Sequence, residues 1–152
     1  MTAVAQATAT LAPRWSVGGL VVEALARRDF AALARCLGPG VRMRALLPGR
    51  VAEFTGPQEV AGWFAGVFGG PDDFELADGT VGEIGPRLYL RWRVSLTPAE
   101  TGGVAGAAAI SRLAEQHVFA MTGTDGLISA LDLLCSGFVS GTTTSPTTSR
   151  KV

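Results

Sequence analysis

His117 is the only histidine of the chain, and Asp132 follows it fifteen residues later in the stretch LAEQHVFAMTGTDGLISALDLLCSGF, Leu113 to Phe138. A carboxylate among apolar residues is raised in pKa by desolvation, which makes it a usable acid or base near neutral pH, and a nearby imidazole can orient it or pass it a proton. The two residues are therefore the candidate catalytic pair, for general acid–base chemistry that needs no metal and no cofactor. Whether they meet depends on the hairpin between them. A four-residue loop, 123–126, sets His117 directly opposite Asp132, with Cβ atoms about 4.5–5.5 Å apart. A two-residue Asp125-Gly126 turn makes them diagonal neighbours on one face. A three-residue loop ending in Gly126 as a bulge puts them on opposite faces. Asp132 alternates with Ile128, Ala130 and Leu134, and an unpaired carboxylate in a core costs several kcal/mol. It therefore belongs at a cavity or at a contact between copies; the plainer alternative is that both residues lie on an outer face or share a static hydrogen bond.

Other chemistries find less support. Cys36 and Cys135 have no C-x-x-C spacing and one histidine to join them, so no metal site is expected and both read as reduced, buried thiols. Ser136 and Cys135 have no base placed beside them for a nucleophilic triad. The Gly-rich stretches, such as GPG at 38–40, lack the strand–turn–helix setting of a phosphate loop. Acidic and basic residues balance at 13 each, so no strong overall field favours nucleic acid or an anionic membrane surface.

The elements that position the pair follow from periodicity. The chain has 152 residues, enough for one domain with its own core. Residues 1–13 and the Ser/Thr-rich stretch 140–152 read as disordered tails around a domain at 14–139, and the small-residue stretch 97–111 reads as a long mobile hairpin loop. The N-terminus lacks the basic and apolar regions of a signal peptide and no run reaches the roughly 20 apolar residues of a membrane helix, so a cytoplasmic location is expected. Val17, Leu20, Val21, Ala24 and Leu25 recur at helical spacing as one apolar stripe. Asp29 can cap a second helix with Phe30, Leu33, Ala34 and Leu37 on its stripe. A strand at 41–47 follows, then a third helix opened by a Thr55–Gln58 capping box with Pro57 in its first turn. After Asp72 everything reads as strands, and in RLYLRWRVSL the alternation separates Leu88, Leu90, Trp92, Val94 and Leu96 from Tyr89, Arg91, Arg93 and Ser95. The leucine face must meet the helices; Arg44, Arg91 and Arg93 then form a solvated or interface row on the other. Helices first and a mostly antiparallel sheet after them means α+β.

The order VVEALARRDFAALARCLGPGVRMRALLPG, then FTGPQEVAGWFAGVFG, then AEQHVFAMTGTDGLISALDLLCSGF resembles the nuclear transport factor 2-like superfamily, and within it the SnoaL-like group. The resemblance spans about 125 residues. It implies a cone-shaped, curved sheet wrapped around three helices, with an apolar pocket whose candidate walls are Trp63, Phe64, Trp92, Phe119 and Met43, and it implies a homodimer. SnoaL-like cyclases use a late-strand aspartate as acid and base, and Asp132 matches it by element. The middle-strand Arg-x-Asp of limonene epoxide hydrolase meets Arg91-Trp92-Arg93 here, without the carboxylate. Ketosteroid isomerase needs a pocket tyrosine with two acids, and the only tyrosine is Tyr89, opposite the leucines. The implied activity is a cofactor-independent isomerisation, cyclisation, dehydration or epoxide opening on a small apolar polyketide- or isoprenoid-like molecule. The alternative is a non-catalytic module that binds a small molecule or dimerises.

Overall fold

A computed structural model describes residues 14–99 and 110–141 of the chain. Its elements run α1 (Arg14–Ala26), α2 (Phe30–Arg35), β1 (Leu37–Leu47), β2 (Arg50–Thr55), α3 (Pro57–Phe68), β3 (Asp73–Ile84), β4 (Arg87–Thr97), β5 (Ser111–Thr122), β6 (Ile128–Cys135) and β7 (Val139–Gly141). The fold is α+β: a curved, open sheet in the order β2-β1-β6-β5-β4-β3, with β7 beside β5 and the helices on one face. All strand pairs are antiparallel except β1 with β6. The expected tail 1–13 and most of the expected loop 97–111 and tail 140–152 lie outside the described residues. Ser140 and Gly141 belong to β7, paired with Arg112 and Ser111 of β5.

The core forms where the alternation of β4 requires it. Leu88, Leu90, Trp92, Val94 and Leu96 are buried against the helices, while Tyr89, Arg91 and Arg93 point to the outer face. α1 delivers Val17, Val21, Ala24 and Leu25 to that core, and α3 delivers Val60, Phe64 and Phe68. Leu20 departs from the expected stripe, being 56% exposed. α1 reaches the sheet at Gly18, where an added Cβ would stand 2.9 Å from Val81 Cγ1 and 3.0 Å from Leu90 Cδ2. The absence of a side chain there lets helix and sheet meet.

Two ends differ from their sequence reading. Asp29 does cap α2, its Oδ1 accepting the Ala32 N–H at 2.9 Å. The Thr55–Gln58 capping box does not form: Gly56, at φ +87°, is the N-cap of α3, and the Glu59 carboxylate instead accepts the Thr55 N–H at 2.8 Å. The strand expected at 41–47 begins at Leu37, and β2, for which the periodicity gave no element, folds back on it through the Pro48-Gly49 turn. Substituting Gly18 by Leu should overpack the α1–sheet contact and cost about 1–3 kcal/mol of stability, measurable as a lowered denaturation midpoint. An unchanged midpoint would contradict the close approach.

Candidate functional site

The faces of His117 and Asp132 are set by the β5–β6 hairpin. Its loop is closed by Gly123 N–H to Leu127 O and by Gly126 N–H to Gly123 O, with the Asp125 carboxylate accepting the Leu127 N–H. Thr122 pairs with Ile128, but Met121 pairs with Ala130, so Ser129 is an extra residue in β6. From there on His117 faces Leu134 and Asp132 faces Phe119. This is the register that a two-residue turn would have produced, with His117 and Asp132 diagonal on one face. It is reached instead by a longer loop and a one-residue bulge.

That face is the outer one. On β5 the buried residues are Ala114, Gln116, Val118 and Ala120; on β6 they are Leu131 and Leu133 beyond the bulge. His117 and Asp132, expected to reach the cavity within the sheet, therefore lie on the side away from the helices, where Asp132 borders a separate space of about 270 Å³ with Arg44, Glu53 and Leu131. Ile128 is buried, but the extra Ser129 reverses the alternation, so Asp132 emerges on the opposite side from Ile128. Phe119, expected as a pocket wall, is also outside, against Tyr89 with ring centroids 5.3 Å apart.

On the outer face the two residues have separate partners. Asp132 stands beside Arg44 across the parallel β1–β6 pair and accepts its Nε–H at 2.8 Å, with Arg87 Nη1 at 3.7 Å. The hydrogen bond to Asp132 raises the Arg44 pKa above its ordinary value. His117 bonds instead to Glu115, Nε2 to Oε1 at 2.9 Å, and to the Tyr89 hydroxyl through Nδ1 at 2.7 Å. Glu115 is the centre of this cluster: Arg91 Nε donates to it at 2.8 Å and Arg93 Nη2 at 3.2 Å. Hydrogen bonds from Arg91 and then Arg93, with His117 adding to them, hold its pKa down to about 2. An ionised carboxylate can only accept, so in the neutral imidazole the proton sits on Nε2 and Nδ1 accepts from Tyr89.

The helix-covered side is packed rather than hollow. Met43, Phe64 and Trp92, three of the expected pocket walls, surround a central space of about 10 Å³ together with Leu90, Val118 and Leu133. That is room for one water at most. Trp63 is half-buried, its ring 5.0 Å from that of Phe64 and 6.0 Å from that of Phe54. Gln116 is the one fully buried polar side chain among the described residues; its Oε1 accepts the Trp92 Nε1–H at 2.7 Å and its Nε2 donates to Cys135 Sγ at 3.3 Å. Cys36 is buried as expected, and burial pushes its thiol pKa up, while Cys135 is only half-buried. Among the described residues no group of three His, Cys, Asp or Glu side chains is placed to hold a metal ion, and no helix is long and apolar enough to cross a membrane.

The Glu115 cluster carries a pH dependence. Because its folded pKa lies below the ordinary 4.5, at about 2, its contribution to stability is complete above 4.5 and is lost as the pH falls through about 2. Denaturation of the wild type and of Glu115→Gln from neutral pH downward should show a difference that is constant above 4.5 and shrinks as the pH falls from there through about 2. A difference independent of pH would mean that the carboxylate's charge is not what holds Arg91 and Arg93.

Comparison with known proteins places the chain. No curated protein matches it. Among solved structures it is similar to a polyketide cyclase candidate from Xanthomonas campestris pv. campestris, with 19% identity, a TM-score of 0.62 and coverage of 82% of this chain and 92% of that one. It is likewise similar to a ketosteroid isomerase candidate from Kribbella flavida DSM 17836, at 18% identity and TM-score 0.55 over 91% of this chain and 89% of that one. An NTF2-like protein of unknown function from Cytophaga hutchinsonii ATCC 33406 gives 13% identity and a TM-score of 0.52, over 87% of this chain and 95% of that one. At these identities the likeness establishes the shared fold. The family model described as the SnoaL-like domain matches residues 20–130, most of the chain, and the chain belongs to that family.

Proposed function

We infer that the chain works as a self-associating module, two copies meeting through the outer faces of their sheets, and that the Asp132 and His117 clusters order that face rather than turn over a substrate. The observation that carries this is a row of exposed apolar side chains on the outer face. Strand register sets Leu134 beside Leu46 and Leu46 beside Val51 across β6, β1 and β2, and they are 43%, 50% and 63% exposed. Such a row on a sheet face marks an interaction site. Burying what remains exposed contributes on the order of 1 kcal/mol per side chain.

The neighbouring row suits a two-fold axis. Asp132, Arg44 and Glu53 lie side by side across the same three strands, so the face carries both signs of charge in a self-complementary order. The SnoaL-like relatives include proteins named as polyketide cyclase and ketosteroid isomerase candidates. Here Asp132 and His117 stand on the side of the sheet away from the packed core, Asp132 engaged by Arg44 and His117 by Glu115 and Tyr89, which supports a part in ordering the face. Asp132→Asn then acts on association, by weakening the tie to Arg44, and removes no chemical step.

Sedimentation velocity tests the pairing. A dimer is expected at micromolar concentration, and Leu134→Glu should raise its dissociation constant by at least about tenfold while leaving the protomer folded. A monomeric wild type, or a dimer indifferent to that substitution, would contradict pairing through this face.

A further inference from the structure

A second surface is left over once the core and the outer face are accounted for. Between α1, α2 and the β5–β6 turn lies a groove of about 530 Å³, lined on its apolar side by Val17, Leu20, Ala24 and Leu127. Its size is that of a small-molecule site. None of its lining residues lies on the outer sheet face, so its occupant and the pairing of copies are separate questions. Leu20 is 56% exposed at this groove, although its neighbours in the helix, Val21 and Ala24, are buried. Among the described residues the charges at its rim are Glu23, Asp29 and Asp125 against Arg27 and Arg35, one negative charge in excess.

That balance decides the chemistry of the ligand. Arg27 is ion-paired within α1 to Glu23 at 3.1 Å, so these two cancel. Asp29 uses Oδ1 to cap α2 and Asp125 uses Oδ1 to hold the turn, which leaves each a second oxygen with acceptor capacity. Two carboxylates thus remain against the single Arg35. We propose that this groove takes a small apolar molecule bearing one positive charge, its hydrocarbon body along Leu20, Ala24 and Leu127 and its ammonium toward Asp29 and Asp125. Ammonium has only donors and a carboxylate only acceptors, so the polar end pairs without a competing orientation.

Three eight-carbon probes that differ in the polar end alone test this: octylamine, 1-octanol and octanoate, titrated calorimetrically into the whole chain at neutral pH. Octylammonium should bind, octanol several-fold more weakly, and octanoate most weakly of the three. Asp125→Asn keeps an acceptor for the turn, so it should weaken octylamine by about two- to fivefold, the order of one exposed charge pair, and leave octanol unchanged. Leu20→Ser, at an exposed position, should weaken both, with melting curves confirming that each variant is folded. Octanoate binding as well as octylamine would overturn the charge assignment. Failure of all three to bind, or octylamine binding indifferent to both substitutions, would overturn the site.

Discussion

One unpaired residue in β6 governs what this molecule presents to its surroundings. Ser129 is the bulge between the pairs Thr122–Ile128 and Met121–Ala130, and its hydroxyl donates to the Met121 carbonyl. A side-chain period of two means that one inserted residue exchanges the faces of everything beyond it. Without it Asp132 would share the inner face with Ile128, and a carboxylate would have to sit beside Trp92 and Phe64 while Leu131 and Leu133 turned outward. With it, Leu131 and Leu133 fill the core and Asp132 meets Arg44 in partial solvent.

The remainder of the outer face follows from the same sorting. β4 and β5 pair so that Arg91 faces His117 and Arg93 faces Glu115, which places the two arginines, the acid and the imidazole within reach of one another. Their inner-face counterparts, Trp92 and Gln116, are also paired across the strands and joined by a hydrogen bond. Polar residues of this sheet are thus satisfied on both sides by cross-strand neighbours. Exposed apolar side chains remain as well, among them Leu134, Leu46 and Val51 outside and Leu20 at the α1–α2 groove.

Much of this was legible in the sequence. The alternation of RLYLRWRVSL separates core from surface by parity alone, and β4 obeys it residue by residue. The helix stripes located α1, α2 and α3, and the order of elements located the family. The bulge was not legible, because Ser129 has no distinguishing chemistry and loops of two, three or four residues all fit TGTDG; the observed loop matches none of them, yet its bulge restores one of their registers. The Glu115 cluster escaped for a different reason: it depends on the β4–β5 register, and these strands are separated by the stretch 98–110, which fixes no pairing. Leu20 falls on the helical stripe yet is exposed, because the stripe is wider than the face that α1 buries.

The central claim is that the outer sheet face is a contact between copies, and intermolecular nuclear Overhauser effects test it most directly. In a sample mixing carbon-13-labelled and unlabelled chains, filtered spectra should show cross-peaks between the methyl groups of Leu134, Leu46 and Val51 on one copy and the same row on the other. Cross-peaks confined to α1 and α2 residues such as Leu20, or none from the outer row at concentrations where the protein is dimeric, would contradict it.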